Sequence, residues 1–240
     1  MTDLTLIIPA KKESESLPTV LKELEKFPYN IKIILEKSDI ETIDSIKAND
    51  SEIIFQSKKG YGNALIEGIK SVHTKYFCVF NADGSFIPDE LEGMLKKIKL
   101  ENADFVFASR YEKNSKTDDD TVITSIGNFF FTRIGNIFFK LPISDILYTY
   151  VLGKVESAKK LDLKQNDFRF CVELPIKAKF NKMILLNNIA HERARIGGIK
   201  KVNAFKDGFL ILIAMVKYFI KKKLKKLIII KLYRSISMPL

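Results

Sequence analysis

The sequence predicts an α/β fold, a doubly wound and mostly parallel sheet with helices on both faces. Two observations carry this. Short apolar runs at 4–9, 31–35, 52–55, 76–80 and 104–109 alternate with stretches of helical periodicity, the pattern of successive βαβ units. The polar clusters follow those runs at the carboxyl ends of the strands, where open α/β sheets bind ligands.

The first strand, Leu4-Thr5-Leu6-Ile7-Ile8, is closed by Pro9 and followed by the polar loop 10–16. Leu17, Val20, Leu21, Leu24 and Phe27 recur at helical spacing and predict a helix over 16–27. The strand 31–35 ends in Glu36-Lys37-Ser38-Asp39, and a short helix over 40–48 leads to the strand 52–55. Lys58-Lys59-Gly60-Tyr61-Gly62-Asn63-Ala64 is a basic, glycine-containing loop opening a helix that runs to 71; alone it is a weak phosphate signal, because two glycines also make an ordinary tight turn. The strand 76–80 stops in Asn81-Ala82-Asp83-Gly84-Ser85. There Asp83 can hold a hard divalent cation that keeps waters and takes substrate phosphates. Equally, Asp83 or Ser85 can cap the helix starting near Pro88. A helix over 88–99 and the strand 104–109 complete the regular half.

The second half is less regular. Residues 112–120 predict a mobile charged loop, and 121–140 a phenylalanine-rich helix whose apolar surface is expected in the core or along an apolar substrate channel. Strands are predicted at 147–152 and 183–189, a helix bearing Glu173 within 167–180, a basic loop at 191–201 and a long helix from Ala204. The organisation expected is one domain over 1–203 and a basic amphipathic helical tail over 204–240.

Of the net +11 charge, eight positive residues lie after Asp207 with no acid among them, which leaves +3 for the body. A mildly basic body argues against a whole-surface nucleic-acid binder. Cys78 and Cys171 lie in apolar surroundings and read as buried free thiols, as in a cytosolic protein. The apolar run 4–10 is too short for a signal peptide and is followed by Lys11 and Lys12. No stretch reads as a continuous run of the ~20 apolar residues of a membrane span; the longest candidate, 209–220, is interrupted by Lys217. The tail's polybasic block between apolar blocks instead predicts in-plane binding to an anionic membrane surface beyond about Lys217.

Taken together, several motifs in order resemble family 2 glycosyltransferases of the GT-A fold, within them the polyprenyl-phosphate, dolichol-phosphate mannose synthase-like branch. The motifs are Pro9-Ala10-Lys11-Lys12-Glu13, Gly60-Tyr61-Gly62-Asn63-Ala64, Asn81-Ala82-Asp83, Ser109-Arg110-Tyr111 and Arg195-Ile196-Gly197-Gly198-Ile199-Lys200-Lys201. The resemblance runs from Leu4 to about Leu212. It implies an inverting transferase that takes a nucleotide-diphospho-sugar and uses Mg²⁺ or Mn²⁺ on Asp83. Pro9, Ala10, Glu13, Glu36, Lys59, Gly60, Gly62, Asn81 and Ala82 would bind the nucleotide. Arg110, Arg195 and Lys201 would stabilise leaving-group charge. Asp145 would sit near the acceptor, as base for a hydroxyl or as an orienting group for a lipid phosphate. The expected place of work is the cytoplasmic membrane face.

Three departures stand out, one of them Tyr148-Thr149-Tyr150-Val151 where Ser-Gly-Phe-Arg usually follows the family's acceptor-side Asp, here Asp145. Glu36-Lys37-Ser38-Asp39-Ile40-Glu41 carries Lys37 where the family has an acid, and Asn81 replaces the first acid of the metal motif. They keep open transfer to a glycan hydroxyl, and a non-catalytic nucleotide-binding partner protein. A sugar-phosphate nucleotidyltransferase is disfavoured, because its glycine-rich signature has no counterpart in 10–16, which holds no glycine.

Overall fold

The computed structural model describes residues 3–198 and 201–236, with side chains through Leu224. Ile199 and Lys200 of the basic motif, and the apolar block 227–230 of the tail, lie outside what is described for side chains.

Seven strands form the main sheet: β1 (Leu4–Pro9), β2 (Asn30–Leu35), β3 (Glu52–Phe55), β4 (Tyr76–Val79), β5 (Phe105–Ser109), β7 (Val151–Lys154) and β8 (Leu185–Ile189). Their order is β3-β2-β1-β4-β7-β5-β8. All pairs are parallel except those of β7, which is antiparallel to β4 and β5. Side chains alternate between two cores, Ile7, Phe77 and Val79 on one face, Leu6, Ile8 and Cys78 on the other. Helices α1 (Leu17–Leu24), α2 (Ile40–Ser45) and α4 (Glu90–Leu100) cover the second face; α3 (Tyr61–Ser71), α5 (Val122–Ile134), α6 (Val155–Lys159), α7 (Phe170–Phe180) and α8 (Ala204–Ile236) cover the first. The doubly wound, mostly parallel sheet is as the sequence predicts.

The second half departs from expectation in four places. The strand expected at 147–152 begins instead at Val151. Gly153 explains the placement: a Cβ there would lie 2.6 Å from the Phe105 ring and 2.8 Å from that of Phe77, so only glycine fits between them. The loop 112–120 is held rather than mobile, because β6 (Lys116–Thr117) pairs in parallel with β9 (His191–Glu192). Asp118 bonds His191 Nε2 at 2.7 Å.

The phenylalanine-rich helix is the third departure. Phe131 and Phe139 are core, but Phe129, Phe130 and Phe138 are exposed. Helix α5 continues through a π-helical turn (Gly135–Phe139), and the combined Val122–Phe139 helix is long and apolar enough to cross a membrane by length and composition, unlike the 209–220 candidate of the sequence reading. The fourth concerns the tail. Helix α8 starts at the expected boundary, but Ile211, Ala214 and Met215 are core, Phe219 stacks edge-on to Phe138, and Lys222 Nζ donates to the Phe138 carbonyl at 3.0 Å. Packing on the body therefore extends past Lys217.

Candidate active site

A cleft of about 620 Å³ opens at the carboxyl ends of the central strands. Its first wall is built by the sheet. Pro9 and Ala10 end β1, Glu36 follows β2, and Asn81, Ala82 and Asp83 follow β4; all line the cleft with Glu13 and Gly60. The β4 end is a tight turn. Ser85 N donates to Asp83 Oδ1 at 3.0 Å, Asn81 Nδ2 donates to Ser85 Oγ at 3.0 Å, and Gly84 takes φ +81°.

That turn carries the second wall. Arg193 N donates to Ser85 O at 3.0 Å and Ile196 N to Asp83 O at 2.8 Å, so residues 193–196 lie along 83–85. Ile196 packs on Gly84, where a Cβ would come within 2.5 Å of it. This brings the Arg195 guanidinium to 3.9 Å from Asp83 Oδ2. Arg195 is otherwise paired with Asp119, its Nε at 3.0 Å from Oδ1, and these hydrogen bonds hold its pKa above the ordinary value. Lys201 pairs with the buried Glu13, whose other oxygen accepts from Ser16 Oγ at 2.8 Å.

Arg110 has a different setting from the one the resemblance implies. Its Nε and Nη2 donate to Asp145 at 2.8 and 3.1 Å, and its Nη1 donates to Glu192 at 3.0 Å. Its guanidinium also stacks over Tyr148, 4.5 Å from the ring centroid. Burial works to lower its pKa, but the Asp145 carboxylate holds it well above the usual value. Asp145 does not line the cleft. It is buried and also accepts from Arg110 N at 3.2 Å and Asn128 Nδ2 at 2.7 Å. With its lone pairs committed to these donors, Asp145 positions Arg110 in this structure.

The glycine loop is set by close packing. Gly60 lines the cleft, but Lys59 and Gly62 do not. A Cβ on either glycine would lie 2.1 Å from a backbone carbonyl, that of Asn166 for Gly60 and of Gln165 for Gly62. The glycines thus let α3 approach the 165–167 segment, where Asn63 N donates to Asn166 O at 3.0 Å. Lys59 is exposed, 3.9 Å from Glu36, whose nearer partner is Lys11 at 2.9 Å. Asp119, Asp120, Glu192 and Asn128, which no motif marks, also line the cleft. The run Asp118-Asp119-Asp120 was the available signal, as a counter-charge to Arg110 and Arg195.

The donor set suits a hard cation held in part by its ligand. Asp83 offers a carboxylate and Asn81 an amide oxygen, and no group of three or more His, Cys, Asp or Glu converges among the described residues. An ion there would complete its shell from phosphate and water oxygens.

Residues 5–162, most of the sheet and the first cleft wall, match glycosyl transferase family 2. The chain belongs to that family. This glycosyltransferase is 24% identical over 221 residues to an uncharacterized protein of Methanocaldococcus jannaschii, spanning 88% of this chain and 91% of the relative. It is 21% identical over 181 residues to the low-salt glycan biosynthesis hexosyltransferase Agl6 of Haloferax volcanii, spanning 73% of this chain but 44% of the relative. Among solved structures it resembles glucosyl-3-phosphoglycerate synthase of Mycobacterium tuberculosis in complex with Mn²⁺, UDP-glucose and phosphoglyceric acid, with TM-score 0.69 and 10% identity over 90% of this chain and 79% of that one. The architecture is the GT-A fold.

Proposed function

We propose that this family 2 glycosyltransferase moves a hexosyl group from a nucleotide-diphospho-sugar to a polyprenyl-phosphate or similar lipid-linked phosphate at the cytoplasmic membrane face. The observation that carries the reading is Asp83 at a strand end with Arg195, on a segment bonded to the same turn, 3.9 Å away. A nucleoside-diphosphate leaving group gains negative charge as the anomeric bond breaks, and cations fixed at that point favour the transition state. Bound Mg²⁺ or Mn²⁺ would be held by Asp83 and supply Lewis-acid stabilisation of the same charge. Arg195 and Lys201, paired with Asp119 and Glu13, would exchange those carboxylates for donor or acceptor phosphates. Pro9, Ala10, Glu36 and Gly60 would position base and ribose. The Mn²⁺ and UDP-glucose bound to the Mycobacterium tuberculosis enzyme support this assignment.

The pairing of the cleft carboxylates supports a phosphate acceptor. A sugar hydroxyl attacks with the help of a general base. Asp145 is saturated, Asp119 and Glu192 hold arginines, Asp167 is paired in bidentate fashion with Arg169, and Asp120 accepts from the Tyr111 and Thr124 hydroxyls. A phosphate acceptor is already anionic and needs no such base. The cationic tail would draw the enzyme to an anionic leaflet. Transfer to a glycan hydroxyl is the second reading, favoured by the similarity to Agl6.

The test is a thermal-shift screen of UDP-, GDP-, CDP- and dTDP-sugars with Mg²⁺ or Mn²⁺, followed by product analysis with polyprenyl phosphate and with oligosaccharides. Metal-dependent stabilisation by one donor and label in the lipid support the proposal. Label only in glycan transfers the assignment to the second reading. Absence of any donor binding contradicts both, and donor binding without transfer to either acceptor leaves a non-catalytic nucleotide-binding partner protein.

A further inference from the structure

Helix α5 is inverted relative to an ordinary surface helix. Its inward stripe is partly polar: Asn128 accepts from Leu147 N at 3.1 Å, and Thr132 Oγ1 accepts from Ile146 N at 3.2 Å. Its outward stripe is apolar, with Val122, Ile123, Ile126 and Phe129 each 62–77% exposed. Such a stripe normally faces the core. Helix α8 packs on α5. At that contact a Cβ on Gly208 would meet the Phe131 ring at 3.8 Å. Around Gly208, Phe205 and Phe209 are again 82% and 65% exposed. Large exposed apolar side chains on two packed helices point to an interaction site.

We propose that this α5–α8 face docks on an anionic phospholipid bilayer and dips into it. Its purpose rests on the lipid-acceptor reading, but its evidence does not. The charge pattern selects the occupant. No acidic residue occurs in 122–140 or after Asp207, whereas Arg133, Lys140, Lys217, Lys221 and Lys223 do. Anionic headgroups complement that pattern. A second copy meeting the same patch across a twofold would set like charge against like charge. The polar bonds from Asn128 and Thr132 tie α5 to the 145–147 segment, so it lies along the domain and in the membrane plane rather than across it. Thr124 and Asn128 of α5, and Lys206 and Asp207 of α8, line the cleft, so docking brings the cleft to headgroup level.

The test is flotation of the full chain with vesicles of equimolar phosphatidylcholine and phosphatidylglycerol, at low salt and at about 1 M salt, where screening shortens to ~3 Å. Three variants are compared with wild type: Ile123→Glu/Ile126→Glu/Phe129→Glu on α5, Phe205→Glu/Phe209→Glu on α8, and truncation after Leu224. All these substitutions are at exposed positions, and melting temperature and donor-induced thermal shift check that each protein is folded. Each glutamate variant is expected to lose vesicle binding by about tenfold or more, including the salt-resistant part that apolar insertion provides. The truncated chain, which loses Lys225, Lys226, Lys231 and Arg234, is expected to keep the salt-resistant part and lose only a share of the salt-sensitive binding. Salt-resistant flotation of both glutamate variants at the wild-type level would overturn the inference. So would a wild-type dimer that does not bind vesicles and that the α5 variant makes monomeric. Vesicle binding that depends on α5, with no transfer to lipid phosphate, would uphold the docking surface and remove the acceptor reading.

Discussion

Asp83 and Arg195 lie 3.9 Å apart in one cleft, yet they are held by different means. Asp83 stands on the sheet: β4 pairs with β1, Phe80 N continues the ladder to Ile7 O at 2.9 Å, and Ser85 N fixes the carboxylate. Arg195 rests on two backbone hydrogen bonds and a carboxylate, Asp119, borrowed from another loop. The first wall is a rigid consequence of strand pairing. The second is a set of ion pairs whose cations, under the proposed function, would trade a carboxylate for a phosphate. Arg110 is the exception on that second wall, because its partners are buried with it and it cannot trade without stranding them.

That contrast makes Arg110→Ala the change with the largest expected effect. It leaves Asp145 and Glu192 without their cation, and removing one partner of a buried pair costs about 3–5 kcal/mol. Urea denaturation should read this loss, and Arg110→Lys should recover little of it because lysine cannot reproduce the bidentate fork. A stability change under about 1 kcal/mol would mean that Arg110 is no strut. On the first wall, Asp83→Asn should lower metal-dependent transfer by about 10²–10³-fold, the scale for losing one group that stabilises developing charge, with the melting temperature kept. Arg195→Ala comes next. It should weaken binding of diphosphate ligands by about 1.5–3 kcal/mol, the worth of a hydrogen bond to a charged group. Stability should change by less than about 1 kcal/mol, because the pair with Asp119 is partly exposed. Titration calorimetry against the melting temperature separates the two effects.

The smallest expected effect lies at the seam between the walls. Glu90 of α4 accepts from His191 N of β9 at 2.6 Å, and burial pushes its carboxyl from the usual 4.5 up to about 7. Between those values the folded chain holds a proton that the unfolded chain has released. Stability from this group is therefore full below pH 4.5 and falls as pH rises through about 7. Glu90→Gln should flatten that part of the melting-temperature profile. Identical slopes in variant and wild type would remove Glu90 as the cause.

The first wall was legible in the sequence for the same reason that it is rigid. Leu4 to Ile8, Ile33 to Leu35 and Tyr76 to Phe80 are buried runs closed by polar clusters, and period and punctuation place them without tertiary information. The second wall depends on which charges meet. Nothing local joins Asp119 to Arg195 or Asp145 to Arg110, and a run of charge reads as a solvated loop until its partners are known. Strand β7 was misplaced because Tyr148 and Tyr150 have strong strand propensity, while the sheet accepts Gly153 between two phenylalanine rings. Helix α5 failed differently. Its period was read correctly, but period does not say which stripe meets protein, and in α5 Asn128 and Thr132 face inward. Helix α4, with Leu91, Met94 and Ile98 buried, follows the ordinary rule.

On the proposed function, Asp83 and the Arg195 segment together form a metal-assisted diphosphate site. The most direct measurement is calorimetric titration of the cognate nucleotide-sugar, identified by the donor screen, into wild type and Asp83→Asn with and without Mn²⁺. The account predicts tight binding only for wild type with metal, and weak, metal-independent binding for Asp83→Asn. Equal, metal-independent affinity in both proteins would contradict it.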